Sequence, residues 1–194
     1  GKENVKGWST VRYDIRLDVM SNEEYSAWIV ELFKQFDRVL KPNGVILWNA
    51  NYGSMNTECM YLTVADIFRN TNFTMADDIC WKKSSAIPNN VSATQLTRIW
   101  EHVFVFCRRD EIKTFKTNKK VKSVSHFGQK FYETYYNFIE AKNNDGTCPL
   151  NKCTYSSELC MKLLGIYGEE GMTVLDPFSG TGTSGLACKA LNMN

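Results

Sequence analysis

No stretch of this sequence is apolar for long enough to cross a bilayer, which leaves no candidate transmembrane helix. Gly1 to Lys6 lack the apolar core of a signal peptide. A dominant charge is missing too. The balance of 23 Lys and Arg against 21 Asp and Glu gives a net +2, too little to imply a nucleic-acid partner by itself. Only local clusters can carry that reading. The seven cysteines, Cys59, Cys80, Cys107, Cys148, Cys153, Cys160 and Cys188, form no C-x2-C pair. Their spacing argues against a zinc site, even one completed by His126, and for reduced thiols, several of them buried. No internal repeat and no low-complexity linker interrupts the chain. Its 194 residues, 43% hydrophobic and 23% charged, therefore read as one domain with a sizeable core.

What is present is organised around a late segment, Val174 to Gly185. Val174 and Leu175 read as the end of a buried strand. Gly180 and Gly182 read as a tight turn that a Cβ would obstruct, and Leu186 to Leu191 as the start of a helix. A strand, a glycine turn and a helix N-terminus bring backbone N–H groups close to a ligand, which predicts a nucleotide-like cofactor. Gly180-Thr-Gly182-Thr-Ser-Gly185 formally matches the dinucleotide fingerprint and keeps an NAD-dependent oxidoreductase as an alternative. Pro177 directly before the turn, and no acidic ribose-binding residue after Gly185, count against it. A P-loop is excluded because no Lys-Ser/Thr follows the glycines.

Upstream, Ser21 and Glu24 form a capping box. It opens a helix carrying Trp28, Ile29, Leu32, Phe33, Phe36, Val39 and Leu40 at helical spacing, ending near Lys41 before Pro42-Asn43-Gly44. Val45 to Trp48 is a buried strand, so this part reads as an αβ unit of an α/β sheet. Asn49 to Gly53 lies where such sheets bind ligands, and a plain turn fits it equally well. Leu62 to Phe68 is a further helix. Ala76–Trp81 and His102–Cys107 are two strands joined by a long polar connection. Lys113, Lys116, Lys119, Lys120 and Lys122 read either as a solvated charge run or as a contact to a phosphate backbone. Phe127, Phe131, Tyr132, Tyr135, Tyr136 and Phe138 read as core before they read as a base-stacking platform. Ser156 or Ser157 opens a helix with Leu159, Met161, Leu163, Leu164 and Ile166, closed by Gly168 and Gly171.

Asp176-Pro-Phe-Ser-Gly-Thr-Gly-Thr183 resembles the S-adenosylmethionine motif D-P-F-x-G-x-G-T of amino-methyltransferases that act on DNA. These are the adenine-N6 and cytosine-N4 type, in the permuted class whose catalytic half comes first. Arg38–Gly44 with Val45–Trp48 resembles the segment after that family's catalytic motif. Trp81-Lys82-Lys83 and Trp100–Arg108 resemble its later strands. Lys152–Leu164 resembles the helix before the cofactor turn, with Cys153 where the family often has proline. The resemblance covers roughly residues 21–110 and 148–191.

It implies an α/β fold: a Rossmann-like methyltransferase sheet with helices on both faces, circularly permuted so that the cofactor-binding strand is C-terminal. Residues 1–194 would form one methyltransferase domain, with 109–147 as a small target-recognition insert. The implied reaction is methyl transfer to an exocyclic base amine in double-stranded DNA, adenine N6 ahead of cytosine N4, on a flipped base. The implied cofactor contacts are Asp176, near the methionine amino group, then Pro177, Phe178, Ser179, Gly180, Thr181, Gly182 and Thr183. Lys152 and Thr154 would line the methionine end. DNA contacts fall to Lys83, Arg98, Lys113, Lys116, Lys119, Lys120 and Lys122, with no metal. The implied setting is the cytoplasm of a bacterial or phage-type host, with a homodimer or a partner subunit. The family's catalytic motif, an acidic, Asn or Ser residue followed by Pro-Pro and an aromatic, is expected before Ser21. None of the four prolines is adjacent to another. The expectation is therefore a domain incomplete at both ends, or a noncatalytic subunit binding cofactor or DNA for a partner.

Overall fold

The computed structural model describes residues 20–53, 56–146 and 154–194. Helix α1 spans Asn22–Val39, and its capping box forms: Ser21 Oγ accepts from Glu24 N, and Glu24 accepts from Ser21 N. Strand β1 is Ile46–Ala50, helix α2 Cys59–Asn70, strand β2 Phe73–Lys83 and strand β3 Trp100–Arg108. A two-stranded hairpin, β4 (Val121–Val124) with β5 (Lys130–Tyr132), precedes strand β6 (Phe138–Ala141). Helices α3 (Ser157–Tyr167) and α4 (Thr183–Ala190) close the chain.

The main sheet has the order β1-β3-β2-β6. β3 is antiparallel to both neighbours and β6 is parallel to β2, so β1, β2 and β6 end on one side. Helices cover both faces because the strands carry apolar residues on both faces. On one face Ile29, Val30 and Phe33 of α1 and Met60, Val64 and Ile67 of α2 pack on Phe73, Phe104 and Phe106. On the other, Leu159, Leu163 and Tyr167 of α3 pack on Ile79, Trp81, Val103, Val105 and Ile139. β2 serves both faces through a bulge between Met75 and Asp77. Side chains alternate along a strand, so one extra residue reverses their direction. Phe73 and Met75 thus meet α1 and α2, whereas Ile79 and Trp81 meet α3.

Arg108, at the end of β3, anchors the C-terminus of α1. It donates to Asp37 Oδ1 at 2.5 Å and to the Asp37 and Leu40 carbonyls at 2.8 and 2.7 Å. Those last carbonyls have no partner within the helix.

Two sequence expectations are corrected here. Val174 and Leu175 do not end a buried strand. Among the described residues no sheet strand lies beside them, Leu175 is 65% exposed, and the backbone of Val174 bonds Asn194 instead. The aromatic group from Phe127 to Phe138 is not core either. β4 and β5 pair only with each other, and Phe127 and Tyr136 are 94% and 75% exposed.

Candidate cofactor site

The segment Asp176 to Thr183 forms one turn running into α4. Asp176 is its anchor. Asp176 Oδ1 accepts from Phe178 N at 2.9 Å. Its Oδ2 accepts from the Tyr155 hydroxyl at 3.2 Å and from Ser184 Oγ. One carboxylate thus ties together the loop before α3, the turn and the first residues of α4. A carboxylate offers about four acceptor positions, and three donors from the described residues share them. Burial, then the nearby Asp176 charge, pushes the Tyr155 hydroxyl up to about 12. The Cys160 thiol is likewise pushed up to about 12, by burial first and then by Cys188 and Asp176.

Gly180 and Gly182 hold φ of +50° and +80°. The sequence reading gave obstruction of a Cβ as the reason for glycine here. That is corrected: a Cβ on Gly182 would meet nothing within 4 Å, and on Gly180 only Phe178 O at 3.7 Å. The left-handed backbone itself selects glycine. Gly182 is the N-cap of α4, and no side chain caps the helix there. Its first N–H groups remain available to an acceptor from outside the helix. Thr181 and Thr183 hydroxyls lie 3.4 Å apart. A cleft of about 490 Å³ opens beside the turn, lined by Asp176, Ser179, Gly182, Ser184, Lys189 and Asn194 among others. That is the size class of small-molecule sites.

Pro177, Phe178, Ser179 and Thr181 are exposed along this turn. Phe178 stands edge-on to Trp28 of α1, with ring centroids 5.8 Å apart. Thr154 is half-buried just before Tyr155, and Lys152 lies outside the described residues. Sequence reasoning missed Trp28, Tyr155 and Ser184. Ser184 lies inside the glycine motif and was the one legible from spacing. The other two reach the turn from distant parts of the chain.

The residues proposed for DNA contact divide into two groups. Lys83 and Arg98 stand at the end of the sheet where β1 and β2 finish. Lys83 is ion-paired with Glu101, which also accepts from Asn49 Nδ2 at 3.2 Å. Arg98 lies over the Tyr52 ring at 4.4 Å and donates to the Tyr52 carbonyl at 2.7 Å. Tyr61 stacks beyond Tyr52 at 6.5 Å. Both cations are thus engaged within the chain, and an aromatic-lined surface stands beside them. Lys113, Lys116, Lys119, Lys120 and Lys122 are exposed and belong to the hairpin and its approach. The hairpin is rooted elsewhere: Asn118 N donates to Ile166 O at the C-terminal end of α3. The turn meets the N-terminal end of that helix through Tyr155.

An α/β sheet covered by helices on both faces, with a glycine turn leading into a helix and a cleft beside it, is the Rossmann-like kind of fold that holds nucleotide cofactors. Here that turn follows the sheet strands in the chain. The family model described as "DNA methylase" (N6_N4_Mtase) matches residues 11–194, and the chain belongs to that family. Among curated relatives, the type II methyltransferase M.MthZI of Methanothermobacter thermautotrophicus is 23% identical over 186 residues, covering 84% of this chain and 52% of its own length. M.HinfI of Haemophilus influenzae is 24% identical over 178 residues, covering 88% and 46%. The chain thus spans about half the length of these relatives. Among solved structures, the M1.HpyAVI–SAM complex is 22% identical, with a TM-score of 0.62 over 91% of this chain and 76% of that one. The PvuII cytosine-N4-specific DNA methyltransferase is 16% identical, with a TM-score of 0.69 over 90% and 66%. These likenesses establish the methyltransferase α/β architecture.

Proposed function

We propose that this chain binds S-adenosylmethionine at the Asp176–Thr183 turn and serves methyl transfer to an exocyclic base amine in double-stranded DNA. Adenine N6 ranks ahead of cytosine N4. The observation that carries it is the turn itself, with its two left-handed glycines, uncapped helix N-terminus and adjoining cleft. The family match favours this reading over a dinucleotide-dependent oxidoreductase.

The residues present fit the group. The open N–H groups of α4 suit a carboxylate. The negative charge of Asp176 suits an ammonium, and exposed Phe178 offers an apolar face. Thr154, the chain neighbour of Tyr155, would line the methionine end. When bound, the cofactor would supply an electrophilic methyl whose sulfonium carrier leaves as a neutral thioether, while the methylated amine gives its surplus proton to solvent. Little proton transfer is then needed, and positioning supplies most of the rate. Tyr52, Tyr61 and Arg98 form the stacking surface for an extruded base. Lys83, held by Glu101, supports the end of the sheet beneath them. The hairpin lysines reach the phosphate backbone.

Residues 109–147 act as a small target-recognition insert, and 1–194 as one methyltransferase domain. The cytoplasm of a bacterial or phage-type host is the compartment where such a DNA substrate lies. Among the described residues no helix is long and apolar enough to cross a membrane.

The test is transfer of a radiolabelled methyl group from S-adenosylmethionine to duplex DNA, with the product nucleosides resolved by mass spectrometry. N6-methyladenine is expected. Stabilisation by NAD but not by S-adenosylmethionine would refute the proposal. The same assay separates a second reading, a noncatalytic subunit that binds cofactor or DNA for a partner. Cofactor binding without transfer, restored by adding a partner chain, would favour it.

A further inference from the structure

The β4–β5 hairpin has no core of its own. Val121, Val124, Phe131 and Tyr132 are 47%, 58%, 48% and 51% exposed. Val121 pairs with Tyr132 and Ser123 with Phe131, so apolar side chains lie on both faces of the ribbon. A two-stranded ribbon open on both faces is marginal alone in water. This one is held at its root. Asn118 bonds Ile166 O through its N–H at 2.6 Å and Gly165 O through its side chain at 3.3 Å. Tyr135 donates to Asn118 O at 3.3 Å.

The tip is a tight turn. Ser125 O accepts from Gly128 N at 2.9 Å, Ser125 Oγ accepts from Gln129 N at 3.0 Å, and Gly128 takes φ +79°. This places His126 and Phe127 at the two central turn positions, and Phe127 is 94% exposed. Between Lys113 and Tyr132 there are six lysines and no acidic residue.

We infer that this hairpin is a DNA-gripping arm, with its lysines on the phosphates of a duplex and Phe127 entering the base stack at its tip. The inference deepens the methyltransferase reading and rests on it for the choice of DNA. A two-stranded ribbon fits the major groove, and a single apolar ring at a projecting tip is the form of side chain that wedges between base steps. A partner protein would match the apolar residues but not six lysines with no acidic residue between them. Among the described residues only Lys116 of these lies near a carboxylate, that of Glu169 at 4.0 Å. The length of α3, about 16 Å at 1.5 Å per residue, separates the arm's root from the cofactor turn. The arm therefore meets the flank of a bound duplex and not the base under attack.

The test is a set of fluorescence-anisotropy titrations of the whole chain at several salt concentrations. One duplex is intact, and a second carries a single abasic site, where the stack is already broken. The parent chain is expected to prefer the abasic duplex. Phe127→Ala should remove that preference, weakening binding to it roughly ten-fold, the scale of one base–aromatic stack, and leave the salt slope alone. Phe127→Tyr should retain the preference. Lys119→Ala with Lys120→Ala should reduce the slope by about 1.8 and leave the preference alone. An unchanged slope in the lysine pair, or an unchanged preference in Phe127→Ala, overturns the arm. So does DNA binding equal to the parent's combined with loss of a dimer in sedimentation, which would make the hairpin a self-association surface. Calorimetric affinity for S-adenosylmethionine should be the same in every variant. A parent that binds DNA in this pattern but not the cofactor would sink the methyltransferase reading and leave the arm standing.

Discussion

Asp176 concentrates more of the site than any other side chain, because donors from three separate stretches converge on it. Asp176→Asn keeps the shape but removes the charge and turns one acceptor into a donor facing hydroxyls. Hydrogen bonds to a charged group are worth about 1.5–3 kcal/mol, so the affinity for S-adenosylmethionine should fall at least ten-fold. Isothermal calorimetry reads that directly. Asp176→Ala should also lower the unfolding midpoint, because Tyr155 and Ser184 lose their acceptor. The neighbouring hydroxyl and thiol add a pH signature. Tyr155 and Cys160 are both held protonated up to about 12, the first by burial and then Asp176, the second by burial and then Cys188. For an acid whose folded value is raised, the stabilisation is whole below the unfolded value and fades as the pH climbs toward the folded one. Stability should therefore decline through the window from about 9–10 to about 12, where the unfolded chain binds fewer protons than the folded one. Urea unfolding across that window tests this, with Tyr155→Phe giving a shallower decline. A decline of the same steepness in Tyr155→Phe would mean that Tyr155 is not its source.

Among the elements, α4 shows how much of the site is backbone. It begins at a left-handed glycine with no side-chain cap. Gly182→Ala places a Cβ in open space but on a φ of +80°. The expected cost is about 1–2 kcal/mol of stability from the strained conformation alone. The same change should weaken cofactor binding by shifting the helix N-terminus. Ser21→Ala, at the cap of α1, should cost about 1 kcal/mol and leave cofactor affinity unchanged. Chemical unfolding and calorimetry on both variants separate the two roles. These elements also mark what a sequence can disclose. The capping box, the apolar spacing of α1 and the glycine motif are local signals, and each formed where its residues stand. The bulge in β2 is marked locally only by Ala76-Asp77-Asp78, which breaks the alternation of Phe73, Met75, Ile79 and Trp81, and which helix layer each side meets is set by the fold. Val174 and Leu175 are apolar enough for a buried strand, but a strand is made by a neighbour, and pairing across the chain is not written in its own residues. The hairpin aromatics misled for the same reason. Spacing says that Phe127 to Phe138 can pack, and only the missing layer over β4 and β5 says that they do not.

At the scale of the whole molecule, the C-terminal unit and the sheet are coupled at the Asp176–Thr183 turn. α4 packs on α3 through Leu164, Ala187 and Cys188, and α3 lies on one face of the sheet. Phe178 crosses to Trp28 of α1, which lies on the other face. The turn therefore bridges both helix layers, and a ligand seated there should stabilise the molecule as a unit. At a cofactor concentration a hundred times its Kd, linkage gives about 2.7 kcal/mol. Thermal unfolding followed at Trp28 and by far-UV circular dichroism should move upward together on adding S-adenosylmethionine. The ring contact is expected to contribute about 0.5–1.5 kcal/mol to that coupling in a double-mutant cycle of Trp28→Ala and Phe178→Ala. Additive single effects, or a cofactor shift seen in the dichroism but not at Trp28, would mean that the two layers unfold separately and that the turn serves only the C-terminal one.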